Sequence, residues 1–124
     1  ALEQADFVSI HCPKNEQTVG MFNKARLSRM KPTAYLVNTA RGGLVDSAAL
    51  ATALETGEIA GAAVDVLPHE PPVHGDPLLD YQGDNLIITP HIAWASNEAR
   101  QNAIEELAAN ARAFLEGEQR NRVV

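Results

Sequence analysis

An arginine, a glutamate and a histidine each stand just beyond an apolar, strand-like run: Arg41 in VNTARGGLVD, Glu70 after GAAVDVL, and His91 after NLIIT. A cation, an acid and a base at three successive strand ends could converge on one anionic substrate. Arginine's planar fork grips a carboxylate through two parallel hydrogen bonds. Histidine titrates near neutrality, and a carboxylate beside it favours the protonated ring, ready to act as an acid. Negative charge developing on a substrate oxygen needs a donor and a cation already in place. Each residue taken alone has a plainer reading. Arg41 can be a solvated loop charge, Glu70 one more acid of a surface loop, and His91 a structural ring bonded to a backbone carbonyl.

Other chemistries fit less well. The histidines are His11, His69, His74 and His91, none paired at a helical i, i+4 spacing, and Cys12 stands alone, so no metal site is expected. His11 and Cys12 are neighbours in an extended segment and point to opposite faces, which leaves Cys12 as a small buried apolar residue. Gly42-Gly43 matches neither GxGxxG nor the P-loop, and Asp46 already occupies the cap of the next helix. The two glycines read instead as a tight strand-to-helix turn.

The elements that must position these groups follow from local pattern. Phe7-Val8-Ser9-Ile10 is a β-favouring run closed by Pro13. Asn23 caps a helix expected through Met30, with Pro32 ending it. Ala34 to Asn38 is a second strand. Asp46 caps a helix from Ser47 to Thr56, with Leu50, Ala53 and Leu54 as its apolar stripe and Gly57 at its end. Gly61 to Leu67 is a third strand, Pro68 to Gly83 a loop, and Asn85 to Thr89 a fourth strand stopped by Pro90. A long helix opens at Ser96 or Asn97 and runs through Glu116, with Ala103, Leu107, Ala111, Phe114 and Leu115 on one face. The residues from Glu118 to Val124 read as frayed. Strands alternating with helices, each strand continuously apolar, predict an α/β fold with a parallel sheet covered on both faces. In such sheets function gathers at the carboxyl ends of the strands, where His11, Arg41, Asp65, Glu70 and His91 all fall.

Composition sets the outer limits. The 124 residues are 45% hydrophobic and 21% charged, which suits one globular unit. A formal net charge of -6 argues against a nucleic-acid partner. No apolar run approaches the roughly 18 residues of a membrane span, and no signal-peptide pattern appears, so a cytoplasmic protein without a membrane partner is expected. The single cysteine fits a reducing compartment. The opening ALEQADFVSI enters almost directly into a strand, and the chain is expected to be a fragment.

Four stretches in order resemble one family. They are His11-Cys12-Pro13 followed by Thr18, then MKPTAYLVNTARGGLVD, then GAAVDVLPHEPP, then NLIITPHIAWAS. Together they resemble the carboxyl-terminal part of the D-isomer-specific 2-hydroxyacid dehydrogenases, the group that holds glycerate and phosphoglycerate dehydrogenases. The resemblance runs from about Asp6 to the end of the last helix. It implies the second half of a Rossmann-like dinucleotide-binding domain, about four strands over residues 1–92. Residues 93–124 would then form a long helix returning towards a substrate domain.

The resemblance also implies roles. Arg41 would hold the carboxylate of a 2-oxo acid and polarise its carbonyl. His91 would give a proton to the carbonyl oxygen as hydride arrives from the nicotinamide, and Glu70 would bond the far side of the imidazole and set its tautomer. Pro13 and Thr18 would line the dinucleotide, Thr39 and Ala40 would lie under its nicotinamide end with Arg41 and His91, and Asp65 would accept from the carboxamide. Ala93 would let the cofactor ring approach. The cofactor would be NAD or NADP, with NAD favoured, although the discriminating residues precede this region in the family. Formate dehydrogenases of the superfamily carry glutamine where Glu70 stands, which disfavours formate. Trp94 resembles the glycerate/hydroxypyruvate reductase branch, and it reads equally as a packing or dimer-contact residue.

No GxGxxG is present, nor the acidic residue that would follow it to grip the ribose. The chain alone is therefore expected to be inactive. A homodimer is expected, because an unpaired sheet edge and apolar patches invite self-association. Two other readings stand beside the enzyme: an NAD(H)-sensing corepressor of the same fold that binds partner peptides, and an inert structural half-domain.

Overall fold

Four short parallel strands align their carboxyl ends in one layer. They are β1 (Phe7–Ile10), β2 (Tyr35–Asn38), β3 (Gly61–Val64) and β4 (Leu86–Ile88), hydrogen-bonded in the order β1-β2-β3-β4. Ile10 faces Asn38, Asn38 faces Val64, and Val64 faces Ile88. The residues that follow each strand therefore emerge along a single rim. The structure is a computed structural model that describes residues 1–123. It divides into two compact units, Ala1–His91 and Ile92–Val124.

Helices α1 (Lys24–Leu27), α2 (Ser47–Glu55) and α3 (Pro77–Asp80) complete the first unit, and the last, α4 (Asn97–Leu115), forms most of the second. Asp46 caps α2 by accepting from the Ala49 amide at 3.0 Å, and Gly57 closes it in the left-handed region at φ 69°. Helix α1 is shorter than its sequence pattern: Asn23 accepts from the Arg26 amide as expected, but the α-helix stops at Leu27, with Ser28 as its C-cap. The stretch read as continuous loop contains α3. Its Asp76 cap accepts from the Leu78 amide at 3.0 Å and Pro77 sits in its first turn, which anchors buried Leu78.

Leu27, Leu36, Leu44, Leu50 and Ile59 are fully buried and join the helices to one face of the sheet. Each contributes about 1.5–3 kcal/mol on leaving water. The expectation of a sheet covered on both faces does not hold in this chain. Phe7 is 71% exposed and Ile87 64%, and with Tyr35 they share the other face. Connections between parallel strands are right-handed almost without exception. Strands laid side by side in one direction therefore send every crossover helix to the same face, and α1 touches α2, and α2 touches α3, accordingly. The apolar residues of the opposite face look the same in sequence whether or not this chain covers them.

In the second unit Ser96 caps α4 through the Ala99 amide at 3.1 Å. Its expected apolar face of Ala103, Leu107, Ala111, Phe114 and Leu115 is exposed, as is Ile104. The segment read as frayed folds back in part, with Arg120 donating to Glu106 at 2.8 Å and Asn121 to Asn110 at 3.1 Å. Val124 lies outside the described residues.

Candidate functional site

The β2 exit is fixed from beneath by Asn38, which is 1% exposed. Its amide nitrogen donates to the Arg41 carbonyl at 3.0 Å and its oxygen accepts from the Ala40 amide at 3.1 Å. Both polar ends of a buried side chain are thus spent on holding the turn that presents Arg41. Residues Gly42–Leu44 form a 3₁₀ turn, and neither Gly42 nor Gly43 adopts a positive φ. Gly42 is needed for closeness: a Cβ there would stand 2.0 Å from the Leu67 carbonyl carbon. The Arg41 turn is thereby packed against the start of the loop that carries Glu70.

Arg41 lines a groove with Pro13, Lys14, Thr39 and Ala40, and its Nη1 donates to the Ala40 carbonyl at 2.7 Å. Thr18 closes the β1 exit loop, donating to the Pro13 carbonyl at 2.7 Å and accepting from the Asn15 amide at 2.8 Å.

Asp65, Glu70, Thr89 and His91 line a recess of about 520 Å³. The Glu70 carboxylate accepts from the Leu67 amide at 2.7 Å through Oε1, and its Oε2 lies 2.7 Å from His91 Nδ1. Burial acts to raise the Glu70 pKa, but the Leu67 hydrogen bond and then the hydrogen bond and charge of His91 outweigh it. The carboxyl is held below its ordinary value. An ionised carboxylate can only accept, so the proton between the two groups sits on His91 Nδ1. His91 itself is in the left-handed region at φ 55°, with its amide donating to the Thr89 carbonyl at 3.0 Å across Pro90. Such a backbone costs roughly 1–3 kcal/mol and persists only where its surroundings enforce it.

Asp65 is 3% exposed, and Thr89 Oγ1 donates to its Oδ1. Its own amide donates to the Asn38 carbonyl at 2.9 Å. Glu70 and His91, expected to act together, are in direct contact, and Asp65 shares their recess. Arg41 lines the other groove with Pro13, Thr39 and Ala40, and Ala93 and Trp94 belong to the second unit. Asn38 and Thr89 were not singled out from sequence. The available signal was a polar residue closing each of two otherwise apolar strands. Among the described residues no group of three or more His, Cys, Asp or Glu could hold a metal ion, and no helix is long and apolar enough to cross a membrane.

Parallel strands in sequence order, with polar groups ranged along their carboxyl rim, define a nucleotide-binding α/β unit of the Rossmann type. Comparison with known proteins gives the particular family. The model for "D-isomer specific 2-hydroxyacid dehydrogenase, NAD binding domain" matches residues 1–93, and the chain belongs to that family. It is 48% identical over 120 residues to a glycerate dehydrogenase of Methylorubrum extorquens, covering 97% of this chain and 38% of that protein. It is 50% identical over 117 residues to a glyoxylate reductase of Thermofilum pendens, covering 94% of this chain and 34% of the relative. Among solved structures, the NAD-complexed D-isomer specific 2-hydroxyacid dehydrogenase of Lactobacillus delbrueckii ssp. bulgaricus superposes with a TM-score of 0.84 at 34% identity, covering 99% of this chain and 40% of that one. The chain thus spans little more than a third of the length of these relatives.

Proposed function

We propose that this chain supplies the nicotinamide-side half of the active site of a dehydrogenase that interconverts 2-oxo acids and D-2-hydroxy acids. The observation that carries the reading is the Glu70–His91 contact at 2.7 Å, with Glu70 held ionised by the Leu67 amide. Residues 1–92 serve as the carboxyl-terminal half of an NAD(P)-binding domain, and residues 93–124 lead towards the substrate domain. The enzyme works as a homodimer in the cytoplasm.

The residues present fit the nicotinamide end of the cofactor. A buried carboxylate, Asp65, lies at the strand rim, and small or rigid side chains, Pro13, Thr39 and Ala40, line an open groove. Asp65 would accept from the carboxamide, Thr39 and Ala40 would lie under the nicotinamide end, Pro13 and Thr18 would line the dinucleotide, and the small Ala93 would let the cofactor ring approach. NAD is favoured over NADP. When bound, the cofactor gives or takes the hydride.

Arg41 clamps the substrate carboxylate and draws charge from the adjacent carbonyl. His91, with Nδ1–H directed at Glu70, gives the proton on Nε2 to the carbonyl oxygen as that oxygen gains charge. In the oxidative direction Nε2 takes the proton back, and the ionised Glu70 offsets the charge on the ring. Each of these groups contributes about 10²-fold or more to the rate. The substrate pair favoured is hydroxypyruvate and glycerate. Support comes from Trp94 beside the PHIA stretch and from relatives named glycerate dehydrogenase and glyoxylate reductase.

A substrate panel on the full-length protein tests this reading. NADH-dependent reduction of hydroxypyruvate should have a higher kcat/KM than reduction of glyoxylate or pyruvate, and the 124-residue chain alone should give none. Turnover far below about 1 s⁻¹ on every 2-oxo acid would favour the NAD(H)-sensing role instead.

A further inference from the structure

Between the buried Asp65 and the catalytic histidine stands one residue that touches both. Thr89 lies in the first layer beyond β4, its amide tied to the Val64 carbonyl at 3.0 Å. Its hydroxyl donates to Asp65 Oδ1, and its carbonyl accepts from the His91 amide at 3.0 Å. We propose that Thr89 is a positioning residue that locks the Asp65 carboxylate and the left-handed turn of His91 into one arrangement, coupling the ring-binding side of the site to its proton-transfer side. The proposal deepens the functional reading above and rests on it for turnover; its binding and backbone consequences are measured separately.

The physical case starts from Asp65. A carboxylate 3% exposed has little access to water and depends on protein donors to stay in place. The Thr89 hydroxyl is such a donor, and a β-branched side chain restricted at χ1 holds it on a fixed line. The same residue's carbonyl engages the His91 amide, and His91 is the only described residue of the first unit other than glycine with a positive φ. The lock on one side of Thr89 therefore bears on the geometry of the other. Removing the hydroxyl takes this hydrogen bond from Asp65 Oδ1 and slackens the tie between the carboxylate and the Thr89 backbone.

The experiment compares Thr89→Val, which keeps the shape and loses the hydroxyl, with Thr89→Ser, which keeps the hydroxyl and loses the methyl, in the full-length protein. The dissociation constant for NADH is read by calorimetry, amide hydrogen exchange at residues 89–92 by mass spectrometry, and kcat with hydroxypyruvate by steady-state assay. Thr89→Val should weaken NADH about tenfold or more and speed exchange at the His91 amide, and Thr89→Ser should restore both to within about threefold of wild type. Thr89→Ala replaces the valine variant if the latter does not fold. Equal losses in the valine and serine variants, or NADH affinity and exchange unchanged by valine, would overturn the proposal. A wild-type protein that binds NADH yet turns over no 2-oxo acid would defeat the functional reading while leaving the two binding and exchange outcomes to decide the role of Thr89.

Discussion

Gly42 lies against the backbone of Leu67, so that a side chain on Gly42 would occupy the space of the Leu67 carbonyl, 2.0 Å from its carbon and 2.2 Å from its oxygen. This contact ties the turn that carries Arg41 to the loop that carries Glu70. It gives the first glycine of ARGG a different reason from the second: the atoms nearest a Cβ on Gly43 belong to the flexible end of Lys14.

The two glycines should therefore respond differently to alanine. Gly42→Ala should cost about 3 kcal/mol, because two backbone segments must separate to admit a methyl group. Gly43→Ala should cost about 1 kcal/mol or less, since Lys14 can swing away. Urea denaturation midpoints check both. Equal costs would show that the close approach to Leu67 is not what the glycine serves.

Asn38 offers a second handle on the same turn. Asn38→Ala strips the Ala40 amide and the Arg41 carbonyl of their partner and opens space in a buried layer. A loss of about 2–4 kcal/mol is expected. The carboxylate clamp should loosen with it, so that KM for the 2-oxo acid rises more than kcat falls. A stable variant with unchanged KM would separate Asn38 from the placing of Arg41.

Glu70 predicts a pH dependence of stability. Its folded pKa lies below the ordinary 4.5, so the unfolded chain binds this proton more tightly than the folded one. The contribution of the ionised carboxylate is fully present above about 4.5 and is lost as pH falls through the folded value. The difference in melting temperature between wild type and Glu70→Gln should therefore be largest near neutral pH and shrink below pH 4.5. Glu70 is about a third exposed, and solvent screens its interactions, so the gap should be modest. A gap that stays constant down to acid pH would mean that the Leu67 and His91 contacts do not depend on the charge.

Much of this arrangement was legible in the residues. Pro13, Asp46 and Pro90 mark where strands end and a helix begins, and that alone puts Arg41, Asp65, Glu70 and His91 at one rim once the strands pair in parallel. The pairing of Glu70 with His91 joins residues 21 apart and came from the family resemblance, because no local pattern encodes it. The one-sided cover of the sheet was not legible, since Phe7 and Ile87 are as apolar as Leu36, and only strand order decides which face the helices take. Helix α3 was readable in principle from Asp76-Pro77, a cap followed by a first-turn proline, but the surrounding prolines and acids masked it. Asn38 and Thr89 escaped because a polar residue at the end of an apolar run reads first as the strand's stop.

The central claim is that His91, oriented by Glu70, moves the proton to and from the substrate oxygen. The most direct test is the kcat for NADH-dependent hydroxypyruvate reduction by the full-length protein and its His91→Gln variant, with NADH affinity measured alongside. Catalysis by His91 predicts a fall in kcat of about 10²-fold or more with NADH binding kept within a few-fold. A variant that turns over within about threefold of wild type would contradict it.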